Sequence, residues 1–236
     1  MTILIDIGNT AIKWQLRESG KVADQGRGDL SQLASWLESL VHLSKRQVAI
    51  SCVRGESFVR ELKDVLTQRG LTNVAFAEST NSFAGVRNAY ATPSSLGVDR
   101  WLALLALKSR GQKNGIVVDV GTACTIDVLE NDCHVGGFIL PGPKLACDAL
   151  VKNTDRIHFS SEPPATVDPG TDTGGCVVSG AWLTIIGAVR EVASRYPHCP
   201  LYLAGGAAPT LIDLGVDGEL VSDLVFDGLS FWLIGA

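Results

Sequence analysis

LIDIGNTAIKWQL (4–16) and VVDVGTACTIDVL (117–129) are the two stretches that decide the fold. They align without a gap at an offset of 113 residues, which places Asp6 over Asp119, Gly8 over Gly121 and Leu16 over Leu129. Each copy reads as a buried strand ending at an acid, a glycine turn and a second strand. In the first copy Ile12, Trp14 and Leu16 alternate with Lys13, Gln15 and Arg17, the period-two pattern of a half-exposed strand. Gly8-Asn9-Thr10 is turn chemistry. The recurrence points to a duplicated strand–turn–strand unit, one per lobe.

Outward from the first copy, Glu18 to Lys21 reads as a turn into a third strand. Helices are expected over 30–43 and 56–69, with strands over 48–53 and 74–77. Residues 79–97 are rich in Ser, Asn, Gly and Pro and read as a loop. A helix then runs from Val98 to Arg110, stopped by Gly111. After the second copy come GGFILPGP (136–143), a polar loop near 153–172 and a long helix over 174–195, with Thr173 placed as its cap. A strand over 200–204 reaches Gly205-Gly206, and an apolar segment over 219–236 closes the chain. The lobe boundary is expected at Gly111-Gln112-Lys113-Asn114. That divides the chain into an N-terminal lobe over 1–112 and a C-terminal lobe over 113–236.

Of the 236 residues, 46% are hydrophobic and 19% charged, which supplies two cores and argues against disorder. The formal net charge is −5 with no basic block, so no nucleic-acid surface is expected. Six cysteines, none in a C-x-x-C pair, sit mostly in apolar runs and read as reduced thiols of a cytoplasmic protein. MTILIDIGNT lacks a basic n-region and carries Asp6, so it does not read as a signal peptide. No uncharged apolar run approaches the roughly 20 residues of a membrane span, so no membrane partner is expected.

Two hairpins of this kind, facing one another, suit a nucleotide. Glycine lets the backbone approach a phosphate, and loop N–H groups donate to it. Asn9, Thr10 and Thr122 add side-chain donors. Asp6 and Asp119 would repel phosphate directly, so their use is to hold a cation or its bound water. Phosphoryl transfer asks for this combination of positioning and charge neutralisation. Lys13 is open to two readings, a point charge on a terminal phosphate or an ordinary solvated lysine. Asp99-Arg100 opens an apolar helix. It is either a helix-start cap or a base beside a carboxylate-binding fork, and the second reading suits a substrate with a hydroxyl and a carboxylate. GGFILPG is a bend or a substrate-covering loop. Gly205-Gly206 is an adenine platform or a sharp turn. His42, His134, His158 and His198 are scattered and do not read as a metal cluster.

DIGNTAIK (6–13), GVDR (97–100), DVGTACTIDV (119–128), GGFILPG (136–142), Thr173 with Gly180, and AGG (204–206) occur in the order seen in type III pantothenate kinases, and nearly the whole chain resembles that family. The resemblance implies an α/β fold of two duplicated ribonuclease-H-like lobes, the actin-like ATPase fold, with ATP in a cleft. It implies phosphorylation of pantothenate by ATP, the first step of coenzyme A synthesis. Asp6, Ile7, Gly8, Asn9, Thr10, Ala11, Ile12 and Lys13 would form the first phosphate loop. Asp119 would hold a monovalent cation, potassium or ammonium, with magnesium accompanying ATP, and Thr122 would contact ATP. Asp99 would be the proton acceptor. Tyr90, Gly97, Val98, Asp99, Arg100 and Thr173 would line the pantothenate site. Gly205 and Gly206 would serve adenosine, although Ala207-Ala208 follow without the polar residue often found there. A homodimer is implied. Two alternatives share the scaffold: a small-molecule kinase with another substrate, and a non-enzymatic regulator of the Bordetella accessory-factor type. A Rossmann binder is disfavoured because the glycine turn leads into a strand.

Overall fold

The computed structural model describes residues 1–40, 46–153 and 163–235. By internal contacts the chain forms two units, Met1–Gly111 with Asp223–Ala236, and Gln112–Ser222.

In the first unit, Ile3, Ile5 and Ile7 alternate along β1 (Thr2–Ile7) and enter one core with Ile12, Trp14 and Leu16 of β2 (Ile12–Glu18). β3 (Lys21–Gly28) follows antiparallel to β2. Asp29 then starts α1 (Leu30–Ser39) with a capping box, its carboxylate accepting from Gln32 N–H while Gln32 Oε1 accepts from Asp29 N–H. The expected end of this helix at 43 lies outside the described residues. β4 (Gln47–Cys52), α2 (Glu56–Gln68) and β5 (Val74–Phe76) complete the sheet, in the order β3-β2-β1-β4-β5. β4 is parallel to β1 and to β5. Leu33, Leu37, Leu62 and Leu66 bring α1 and α2 onto the Ile3–Ile5–Ile7 face.

The stretch expected to be a bare loop over 79–97 holds a short hairpin, β6 (Ser82–Phe83) and β7 (Val86–Arg87), and a 3-10 turn at Pro93–Ser95. α3 (Val98–Ser109) is buried from Arg100 through Leu107, as its all-round apolar sequence demands.

The second unit repeats the plan. β8 (Gly115–Val120), β9 (Ala123–Glu130) and β10 (Cys133–Pro141) run antiparallel in succession. β11 (Leu201–Ala204) is parallel to β8, and β12 (Glu219–Leu220) is parallel to β11. The five strands of this unit lie in the order β10-β9-β8-β11-β12, the same topology as β3-β2-β1-β4-β5. Duplication therefore extends past the hairpin to the whole sheet. GGFILPG is neither bend nor lid: Gly136–Pro141 pair with β9 as strand. α4 (Pro143–Lys152), not foreseen, follows at once, and the polar stretch after it is described only from residue 163. α5 (Thr173–Arg195) is capped by Asp172, whose carboxylate accepts from Gly175 N–H, so Thr173 is the first helical residue and not the cap. α5 is long and apolar enough to cross a membrane by composition, yet Trp182, Ile185, Ile186 and Val189 make it the core helix of this unit. α6 (Ala208–Asp213) links β11 to β12.

The repeat differs from the ungapped alignment in one respect. In the first hairpin Ile7 faces Ile12 across four loop residues, and in the second Val120 faces Cys124 across three. Structural equivalents along the second strands are therefore 112 apart: Ile12 with Cys124, Trp14 with Ile126, Leu16 with Val128. Leu16 does not correspond to Leu129. The two burial patterns coincide residue for residue only in this register, with Gln15 and Asp127 as matched buried polar positions.

α7 (Leu224–Gly235) belongs to the first unit, unlike the continuous second lobe expected over 113–236. Gly228 lies against the Leu102 carbonyl of α3, closer than any Cβ allows. Asp227 pairs with Arg17 at 2.9 Å and Arg110 at 3.0 Å, and Asp223 accepts from Gln15 at 2.9 Å. These contacts carry the final helix back onto β2 and α3.

Candidate functional site

In the first unit the DIGNT turn leaves the carboxyl end of β1. Gly8 N–H donates to Ala11 C=O at 3.1 Å and closes the loop. Asp6 stands opposite Lys13 in the β1–β2 ladder, and both side chains are part-exposed. The neighbouring strand end braces the loop. Ser51, fully buried, donates its hydroxyl to Asp6 Oδ1 at 2.9 Å. Val53 N–H donates to Ile7 C=O at 3.1 Å. Arg54 donates from Nε to Gly8 C=O at 3.0 Å and from Nη2 to Asn9 C=O at 2.9 Å. Ser51 and Arg54 did not emerge from the sequence. A polar residue ending a buried parallel strand beside the first one was the available signal, because sites of open α/β sheets lie at strand carboxyl ends.

A second group forms at the start of α3. Arg100, 7% exposed, donates from Nη1 to Tyr90 Oη at 3.0 Å, which joins two residues ten apart in sequence. Tyr90 N–H in turn donates to Asn88 Oδ1 at 2.9 Å. The Asp99 carboxylate turns back over the helix start, accepting from Arg100 N–H at 2.8 Å. A Cβ at Gly97 would lie 2.7 Å from Asp99 Oδ1, so a larger residue there would push the carboxylate aside. Val98 packs beside it, buried. Tyr90, Gly97, Val98, Asp99 and Arg100 are thus one cluster.

In the second unit Gly121 N–H donates to Ala123 C=O at 2.9 Å, and Thr122 C=O accepts from Gly142 N–H at 3.0 Å. Asp119 stands opposite Thr125 at the end of β8. Gly205 follows β11 with φ +89° and presses on this strand end, and Ala207 N–H donates to Val120 C=O at 3.0 Å. A Cβ on Gly206 would meet only open space. Burial, and then the Asp119 charge, push the Cys124 thiol up to about 12, so it remains neutral beside the carboxylate. Thr173 keeps different company: with Ala146, Leu150, Cys176, Val177 and Gly180 it lines an apolar groove of α4 and α5.

Among the described residues no three His, Cys, Asp or Glu side chains gather to hold a multivalent metal. Asp119 instead offers one carboxylate, and the close glycine backbone at Gly205 keeps side-chain bulk away from it. A single carboxylate can join carbonyls, water or ligand oxygens around a cation.

The sequence profile of the type III pantothenate kinase family matches residues 2–195. A type III pantothenate kinase of Marinobacter nauticus is 33% identical, covering 97% of this chain and 96% of its own. One from Pseudomonas aeruginosa strain LESB58 is 34% identical, covering 98% of each chain. Among solved structures, a candidate Baf family transcriptional activator from Campylobacter jejuni matches with TM-score 0.68 at 22% identity, covering 98% of this chain and 97% of its own. A candidate 2-dehydro-3-deoxygalactonokinase from Sinorhizobium meliloti matches with TM-score 0.59 at 13% identity, covering 98% and 97%. At such identities these two speak for fold alone. The fold is the duplicated α/β fold of the actin-like ATPases and sugar kinases that the family resemblance implied, and the chain belongs to the type III pantothenate kinase family.

Proposed function

We infer that this chain transfers the γ-phosphoryl group of ATP to the primary hydroxyl of pantothenate, the first step toward coenzyme A. The observation that carries the reading is the joining of Asp99, Arg100 and Tyr90 at one helix start in a member of this family. A hydroxy acid takes a proton acceptor at its hydroxyl and an anion fork at its carboxylate, and this helix start carries both kinds of group.

Asp99 takes the hydroxyl proton as that oxygen bonds to the γ-phosphorus, and the bond to the β,γ-bridging oxygen breaks to release ADP. Arg100 and Tyr90 orient the pantothenate carboxylate, with Gly97 and Val98 shaping the floor. The loop Asp6–Lys13 binds phosphate through its backbone, Lys13 adding a point charge. Thr122 holds ATP oxygen, and Gly205 and Gly206 give a flat surface for adenosine. Asp119 would hold potassium or ammonium, which would supply positive charge against the phosphates, with magnesium accompanying ATP.

A homodimer in the cytoplasm completes the reading. Leu145, Leu150 and Leu183 of α4 and α5, and Phe138 and Ile139 of β10, are 44–65% exposed, an apolar surface suited to a second copy. A regulatory role of the Baf type rests on fold likeness alone and explains no base beside an anion fork. The test is a panel of acceptors with ATP. Phosphopantothenate formed with equimolar ADP is the expected result, and turnover of a hexose without pantothenate would defeat the reading.

A further inference from the structure

We propose that Arg54 is the positioning residue of the phosphate loop, holding the peptides that follow Gly8 and Asn9 so that their N–H groups face a nucleotide phosphate. The proposal rests on the reading of Asp6–Lys13 as that loop. One guanidinium spans two successive carbonyls, Gly8 at 3.0 Å and Asn9 at 2.9 Å. No peptide bond in the described chain is cis. In a trans peptide the C=O and N–H point in opposite directions. Drawing both carbonyls toward Arg54 therefore turns Asn9 N–H and Thr10 N–H to the opposite side of the loop. Successive N–H groups aligned this way make an anion-binding concavity, and the cation behind them polarises both peptides in the favourable sense.

Arg54 is itself held. Its guanidinium carbon lies 4.5 Å from the Phe58 ring centroid, which fixes the plane of the fork from the first turn of α2. The segment Ser51–Arg54 runs beside Asp6–Asn9, through Ser51 on Asp6 and Val53 on Ile7, so the backbone bearing Arg54 cannot drift from the loop without breaking those bonds. A lysine offers a point charge and no planar fork. It can satisfy one carbonyl but cannot set both peptide planes together.

The experiment compares Arg54→Met and Arg54→Lys with the unaltered protein, measuring KM for ATP and for pantothenate, kcat, and direct binding of ATP and AMP. Expected for Arg54→Met is a loss of at least about tenfold in ATP affinity, of the size set by losing charged hydrogen bonds. AMP affinity and pantothenate KM stay close to the unaltered values, and Arg54→Lys recovers part of the loss. ATP parameters within about twofold in Arg54→Met, or an equal loss for AMP, overturn the assignment. Asp6→Asn, run beside it, tests the loop reading separately. Loss of turnover in Asp6→Asn with normal ATP parameters in Arg54→Met overturns only the role of Arg54. Full turnover in both overturns the loop reading as well.

Discussion

The α-carbon of Gly205 rests against the Asp119 carboxylate, so near that a Cβ would fall 2.6 Å from Oδ1 and 2.5 Å from the Val120 carbonyl oxygen. The same residue has φ +89°, in the left-handed region. Two independent constraints thus demand glycine where β11 turns beside the end of β8. Gly205→Ala is expected to cost about 1–3 kcal/mol through backbone strain and displacement of Asp119. A thermal melt reads the stability, and ATP KM reads the displaced carboxylate. An unchanged melt would show that the turn relaxes freely.

The C-terminal helix should depend on Asp227. Its carboxylate meets Arg17, which is 10% exposed, and Arg110, which is 36% exposed. Asp227→Ala leaves the largely buried Arg17 guanidinium without its carboxylate, holding only its 3.0 Å bond to Gln15 Oε1, and should lower stability by about 2 kcal/mol, short of the figure for a fully buried pair because Arg110 faces solvent. Amide exchange should accelerate over α7 first. Uniform acceleration along the chain would contradict the helix-specific role.

How much of this was legible beforehand depends on the kind of residue. The strand–turn–strand repeat and both Asp-x-Gly turns stood out because acid and glycine are rare at the end of an apolar strand. The register of the second hairpin did not. Cys124, Ile126 and Val128 alternate with Thr125 and Asp127 as Ile12, Trp14 and Leu16 do with Lys13 and Gln15, but a gapless alignment of the two Asp-x-Gly turns hides the one-residue shortening of the loop. The apolar tail over 219–236 was visible as buried material. Its attachment through Asp223 and Asp227 was not, because those partners, Gln15, Arg17 and Arg110, lie more than a hundred residues away. Phe138 and Ile139 resembled a loop by their Gly-Gly and Pro-Gly flanks, yet β9 offered them a strand to pair with. Arg54 carries no motif; only the folded loop shows what it holds.

Thiol labelling should separate the cysteines by burial. Cys176 is exposed, whereas Cys124, Cys147 and Cys199 are buried with thiols pushed up by desolvation. The thiolate is the reactive form. Cys124, raised to about 12, stays protonated through mildly alkaline pH and becomes reactive only as pH climbs toward that value. Iodoacetamide at pH 8 should modify Cys176 first and leave Cys124 untouched. Early modification of Cys124 in the folded protein would contradict the buried β9.

Asp119 should govern the response to monovalent cations. Wild-type turnover is expected to rise with potassium, and Asp119→Asn should flatten that response while leaving the melting temperature within a few degrees. A potassium response retained in full by Asp119→Asn would move the cation elsewhere.

The most direct measurement is pantothenate phosphorylation by the unaltered chain and by Asp99→Asn, with ATP binding followed in parallel. The account predicts phosphopantothenate from the unaltered chain and a fall of about 10²–10⁴-fold in kcat for the variant, the range for removing a general base, at unchanged ATP affinity. No product from the unaltered chain, or full turnover by Asp99→Asn, would contradict it.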